Sequence, residues 1–172
     1  MRRVILYIAV SLDGMIAGPN DDLSFLHDYD DVALVKTSYD DLMLKIDTIL
    51  LGRKTYDWVT KHMPWPYEGL KTIVFSRHPK PIDHGIMTGQ NPSEVIKQLK
   101  TKPGKDIWLI GGAELAQACL HEGLVDSMEI AIIPKLLGEG IQLFKGSKSL
   151  WDVKKIQEEK GLVLISYERK TV

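Results

Sequence analysis

The sequence predicts an α/β domain with a mostly parallel central sheet, helices on both faces and antiparallel edge strands near its C-terminal end. Three observations carry this. Apolar, β-favouring runs alternate with helical patterns along nearly the whole chain, from Val4–Val10 to Ile107–Ile110, which is the pattern of repeated strand–helix units. Twice such a run feeds a helix through glycine, at Leu51-Gly52-Arg53 and at Ile110-Gly111-Gly112-Ala113. Late in the chain two apolar runs flank Lys160-Gly161, and strands joined so tightly must be antiparallel.

The elements follow in order. Arg2-Arg3 before the apolar stretch Val4–Val10 has the look of a secretory signal, but Ser11 and Asp13 follow at once and no small-x-small cleavage pattern does. The stretch reads instead as a buried first strand. Asp13-Gly14 and Gly18-Pro19-Asn20-Asp21 are turn signals, and a helix is expected from Asp31 to Ile46. Asp47–Leu51 reads as a strand, with a helix opening at Gly52-Arg53-Lys54-Thr55-Tyr56; Thr72–Phe75 is a third strand, ending in Ser76-Arg77. Asn91-Pro92-Ser93-Glu94 marks a helix start, with Asn91 as cap, Pro92 in the first turn and Glu94 able to close a capping box; Gly104 is expected to end that helix. After the strand at Ile107 a helix runs from Ala113 to His121, with Gly123 placed to terminate it. Ser127–Ile133 is a strand ended by Pro134, Leu137–Gly140 a loop, and Val153–Gln157 with Leu162–Tyr167 the closing hairpin. Val163 and Ile165 alternate with Leu162 and Leu164, so both faces of the last strand are apolar and one of them is expected to meet a helix layer or a second subunit, which makes a homodimer the expected assembly.

At 172 residues the chain is expected to form one domain, 1–172, with core enough to fold without metal or disulfide. The balance of 22 basic and 23 acidic side chains leaves no electrostatic footprint for nucleic acid. A lone Cys119 excludes an intrachain disulfide and reads as a small buried hydrophobe. No stretch approaches the length needed to cross a bilayer, so a cytoplasmic location is expected. His27, His62, His78, His84 and His121 have no ligand-like spacing, and no metal is expected. G-x-G-x-x-G, Walker A, H-E-x-x-H and G-x-S-x-G patterns are all missing.

What remains is a set of strand ends suited to an anion. Without a Cβ at Gly111 or Gly112, a ligand can approach the backbone, and the first amides of the following helix point outward; the alternative is a tight connection that merely relieves crowding. Gly52 is followed by cations, and Ser76-Arg77 puts a hydroxyl and a guanidinium where a strand leaves the sheet. In open α/β sheets ligands bind beyond the carboxyl ends of the strands, so these turns can converge on one elongated, multiply charged ligand. A phosphorylated dinucleotide fits, and Arg53 and Arg77 pairing with an extra phosphate would favour NADPH over NADH; each arginine taken singly reads equally as a solvated surface residue. Asp13 is the candidate for a substrate or proton-relay role, since it follows the first strand near the crevice, although Asp-Gly is also a turn signal. Trp65 and Tyr67, in a proline-rich loop, either stack on a planar ring or pack that loop on the domain.

Ser11-Leu12-Asp13-Gly14-Met15-Ile16-Ala17, Leu51-Gly52-Arg53-Lys54-Thr55-Tyr56, Gly111-Gly112-Ala113 and Leu137-Gly138-Glu139-Gly140 together resemble the dihydrofolate-reductase-like superfamily. Within it the chain is most similar to stand-alone relatives of the C-terminal reductase domain of the bacterial bifunctional riboflavin-biosynthesis deaminase-reductase, in order from Ile5 to Arg169. The resemblance implies a dihydrofolate-reductase-like three-layer fold and an NADPH-dependent reductase of a pyrimidine or pteridine-like substrate. It names 5-amino-6-(5-phosphoribosylamino)uracil as the candidate substrate, with a dihydrofolate reductase and a non-catalytic NADPH-binding module as alternatives. It implies that Gly52, Arg53, Thr55, Gly111, Gly112 and Ala113 hold the cofactor phosphates, that Ser76 and Arg77 meet the adenosine 2′-phosphate, that Ala9 and Ile16 border the nicotinamide and that Gly138 belongs to a late loop near the cofactor. The substrate side departs from the family. The carboxylate that dihydrofolate reductases carry on the first helix falls near Lys36, with Asp40 and Asp41 beyond it. Where riboflavin-type reductases have Asp-Asp-Pro the chain has Met63-Pro64-Trp65-Pro66.

Overall fold

The computed structural model describes residues 1–170. In chain order its elements are β1 (Val4–Ser11), β2 (Met15–Ala17), α1 (Ala33–Lys45), β3 (Ile46–Gly52), α2 (Arg53–His62), β4 (Lys71–Phe75), β5 (Ile86–Thr88), α3 (Pro92–Lys100), β6 (Asp106–Gly111), α4 (Ala113–His121), β7 (Ser127–Ile133), β8 (Ile141–Gln142), β9 (Trp151–Glu159) and β10 (Leu162–Arg169). The main sheet has eight strands in the order β5-β4-β3-β6-β1-β7-β10-β9, parallel from β5 to β7 and antiparallel at β7–β10 and β10–β9.

The continuous apolar run of β1 calls for burial on both faces, and its central position supplies it. Val4, Leu6 and Val10 join a rear cluster with Val95, Ile96 and Leu99 of α3 and Leu115, Ala116, Cys119 and Leu120 of α4. Ile5 and Tyr7 face the front, with Leu42 of α1, Tyr56 of α2 and Trp108 of β6. Two helices thus lie on each side of the sheet. Cys119 is wholly buried in the rear cluster, and burial pushes its thiol up to about 12, consistent with a packing role.

The rear cluster reaches Met128 and Ile130 of β7, and beyond it the rear of β10 and β9 is more exposed. Leu162 and Leu164 are buried at the front under Phe25. Val163 and Ile165, opposite Ile132 and Ile130 of β7, turn to the rear, and with them go Ile156 and Val153 of β9, which are 63% and 53% exposed.

Several boundaries differ from expectation. Helix α1 begins at Ala33 rather than Asp31, and Ile46 already belongs to β3, its side chain buried in the front cluster. Gly104 does not end α3, which stops at Lys100. A Cβ at Gly104 would fall 2.6 Å from Asp47 Oδ2 and 3.0 Å from Arg2 Cζ. Gly104 therefore makes room for the buried Arg2 guanidinium and its partners Asp47 and Thr48. The start of α3 is as expected, with Asn91 Oδ1 accepting from the Ser93 amide at 2.8 Å. Gly123 closes α4 in the left-handed region (φ 67°), and the Leu124 amide reaches back to the Cys119 carbonyl at 2.9 Å. Lys160 and Gly161 both have positive φ, 52° and 83°, the two-residue turn that suits a twisted hairpin. The short strands β2, β5 and β8 have no counterpart in the sequence reading; β2 and β8 pair as a separate two-stranded ribbon beside the end of β1.

Candidate active site

Because β4, β3, β6 and β1 are neighbours and parallel, their carboxyl ends lie side by side. The register places Gly52 opposite Phe75, just before Ser76, and Leu51 opposite Gly111. The glycine turns are in contact: a Cβ on Gly52 would sit 3.7 Å from the Gly112 amide nitrogen, and one on Gly112 would sit 3.2 Å from Thr55 Oγ1. Side chains there would fill the space over both turns.

Helices α2 and α4 start at this point, and their N-caps, Gly52 and Gly112, supply no side-chain acceptor. The other two helices are served differently, α3 by Asn91 and α1 by Glu159 of β9, whose Oε2 accepts from the Leu34 amide at 2.7 Å. The starts of α2 and α4 are thus not capped by a side chain, and an anion there would be favoured by both helix dipoles. The donor set fits a pyrophosphate. Arg53 lies at the mouth, with Nε 3.3 Å from Asp57 Oδ2. Ser76 Oγ accepts from the His78 amide at 3.1 Å, and Arg77 is exposed beside it. Gly52, Arg53, Thr55, Ser76, Arg77, Gly111, Gly112 and Ala113 are therefore collected along one edge of the sheet.

Ala9 and Ile16 do not share a packed cluster. Ala9 faces the front with Ala131 and Val35, whereas Ile16 packs with the rear cluster. Asp13 is tied down at both oxygens: Oδ1 accepts from Ser11 Oγ at 2.6 Å and the Leu137 amide at 3.1 Å, and Oδ2 accepts from the Gly138 amide at 2.8 Å. The Ser11 hydroxyl first, then the two amides, hold its carboxyl down at about 2. At neutral pH Asp13 is an ionised acceptor that fastens the Leu137–Gly138 loop to the end of β1, with no proton of its own to give.

A second feature lies on the front face, where Tyr7, Ala9 and Ile110 of the central strands β1 and β6 are half-buried. Trp65 and Tyr67 pack their loop on the domain beside it: Trp65 stacks on His84 at 4.9 Å between ring centres, and Tyr67 meets Trp108 edge-on at 5.4 Å. Lys36 turns outward to Asp40 at 3.1 Å, and α1 brings the polar side chains of Ser38 and Tyr39 to Tyr7 and Trp108. Sequence reasoning missed Tyr7, Ser38 and Tyr39. The available signal was Tyr7, an aromatic with a polar tip in a run otherwise made of Val, Ile, Leu and Ala.

Comparison with known proteins agrees with this architecture. The family model for the RibD C-terminal domain matches residues 2–162, and the chain belongs to that family. YyaP, an uncharacterized protein of Bacillus subtilis, is 36% identical over 182 residues, covering 96% of this chain and 94% of its own. A protein of Shewanella sp. PV-4, assigned provisionally to riboflavin biosynthesis, superposes with a TM-score of 0.88 at 30% identity over 98% of this chain and 99% of that one. The deaminase/5-amino-6-(5-phosphoribosylamino)uracil reductase of Thermotoga maritima shares the fold, with a TM-score of 0.74 at 16% identity; 98% of this chain is covered but only 57% of that one. No helix among the described residues is long and apolar enough to cross a membrane, and no cluster of metal-ligating side chains occurs among them.

Proposed function

We propose that this protein is an NADPH-dependent reductase of a pyrimidine or pteridine-like heterocycle, with 5-amino-6-(5-phosphoribosylamino)uracil as the candidate substrate. The observation that carries the reading is the pair of uncapped helix starts at Gly52 and Gly112, packed against each other over neighbouring strand ends. The first amides of α2 and α4, with Thr55 beside them, would hold the pyrophosphate, and Arg53, Ser76 and Arg77 the 2′-phosphate. Gly112, Ala9, Ile16 and Gly138 would border the rest of the cofactor. Bound in this way, NADPH supplies the hydride. The chain's own part is to hold the two rings at the front face and keep water out, while Asp13 positions the Leu137–Gly138 loop. A cytoplasmic location goes with this cofactor, and a second copy of the chain, seated on the rear of β10 and β9, is the proposed partner.

Titration with NADPH and NADH, followed by fluorescence, tests the reading. Tight binding with a clear preference for NADPH is expected. Arg53→Ala should weaken NADPH by about 10- to 100-fold, the loss of one charge-assisted contact, and leave NADH much less affected. Equal losses would reject the 2′-phosphate assignment, and no binding of either nucleotide would reject the reductase itself.

A further inference from the structure

The rear of the sheet holds a cavity that the cofactor reading leaves unused. It arises from the segment between β8 and β9, residues 143–150, which is pinned at both ends. At one end Leu143 is wholly buried in the rear cluster; its amide donates to the Gly14 carbonyl at 3.0 Å, and its carbonyl accepts from Gln117 Nε2 of α4 at 3.2 Å. At the other end Trp151 packs against the same cluster. Between these pins the segment faces the rear of β7 across a cavity of about 440 Å³. Its own side chains do not fill that space. Phe144 and Leu150 are 45% and 63% exposed, and the others are Lys145, Gly146, Ser147, Lys148 and Ser149.

The floor of the cavity is Met128, Ile130 and Ile132 of β7, alternate residues that share one face of the strand. Phe144, Trp151 and Tyr167 supply aromatic walls, and no charged side chain lines it, so an ion would lose its hydration there without compensation. The hydroxyls of the lining differ in what they have left to offer. Ser11 Oγ is committed, donating to Asp13 and accepting from the Met15 amide. Ser149 Oγ accepts from the Trp151 indole N–H at 2.7 Å. Ser147 Oγ is buried and, alone among the buried side-chain polar atoms of the described residues, has no hydrogen-bond partner. Buried hydroxyls are as a rule satisfied, so a free one on a residue that lines an apolar cavity calls for a partner that the protein itself does not provide.

We propose that this cavity is a second binding site, for a small, neutral, largely aromatic molecule with one carbonyl-type acceptor for the Ser147 hydroxyl. Its size falls within the range of ordinary small-molecule sites, about 300–1,000 Å³, and its aromatic walls suit a flat ring. None of the residues assigned to the cofactor lines it, and neither do the exposed Ile156 and Val153, where the second copy of the chain is placed. The site is therefore independent of both readings.

The test uses three naphthalenes of one skeleton, titrated calorimetrically into the whole protein without NADPH: 2-acetylnaphthalene, 2-ethylnaphthalene, which lacks the acceptor, and 2-naphthoate, which is charged. 2-Acetylnaphthalene should bind, at least about tenfold more tightly than 2-naphthoate, and should shift the Met128 methyl signal of protein labelled with methyl-¹³C methionine. Ser147→Ala, a change in the segment rather than in the sheet, should weaken 2-acetylnaphthalene about 3- to 10-fold, the loss of one hydrogen bond. It should change 2-ethylnaphthalene by less than about twofold. The proposal is overturned if 2-acetylnaphthalene does not bind, if it binds with the Met128 signal unmoved, if 2-naphthoate binds as tightly, or if Ser147→Ala affects both neutral ligands alike.

Discussion

Asp13 shows how far a single residue's role depends on what surrounds it. The carboxylate was legible as a candidate because it follows the first strand, but the sequence does not reveal that the amides of Leu137 and Gly138, more than a hundred positions away, close on it. Its folded value of about 2 lies below the ordinary 3.8, so its bonds to the loop contribute fully above about pH 4 and are lost as the pH falls through about 2. The amide proton of Gly138 should accordingly titrate with a midpoint near 2 in an NMR series and cease to do so in Asp13→Asn; a midpoint near the ordinary value would mean that the clamp is not made. Tyr7 illustrates the opposite case. In sequence it is one more member of an apolar run, and only the fold shows its ring against Trp108 and its hydroxyl 2.8 Å from Ser38 Oγ.

Among the elements, α4, bracketed by Gly112 and Gly123, and β7, ended by Pro134, were legible to the residue. The turn at Lys160-Gly161 was legible too, but its strands run further than the sequence suggested, over Trp151–Glu159 and Leu162–Arg169. Elements of two or three residues, β2, β5 and β8, were not legible, because a period cannot be read over so short a span. They matter nonetheless. Gly140 has a φ of 145° and leads into β8, and a Cβ there would lie 2.2 Å from the backbone carbonyl of Ala17. A backbone atom cannot move aside as a flexible side chain can, so Gly140→Ala should separate β2 from β8 and cost about 1–3 kcal/mol in thermal or denaturant unfolding. An unchanged stability would mean that the ribbon tolerates the wider spacing.

At the scale of the whole molecule the parallel core and antiparallel edge were legible, but the strand order was not: nothing in β6 announces that it lies between β1 and β3. That order brings the strand ends at Gly52, Ser76 and Gly112 together, so their convergence could be expected from the sequence only as a possibility of the fold class. It also leaves the rear of the outermost strands, β10 and β9, partly exposed. Exposed Ile156 and Val153 there, with half-buried Ile165 and Val163, form a face whose apolar character is out of keeping with water. Sedimentation should give the mass of two chains, and Ile156→Asp with Val153→Asp should return it to one; a monomeric mass for the unmodified protein would reject the homodimer. The collar of tyrosines around Trp108 has an optical consequence as well. Phenols at 5.4–6.0 Å pass their excitation to that indole, and indole emission overlaps the absorption of a reduced nicotinamide. With Trp58, Trp65 and Trp151 replaced by Phe, the remaining tryptophan becomes a built-in lamp beside the sheet's front face, which the proposed function expects to dim when a reduced cofactor is added and to recover as it is oxidised.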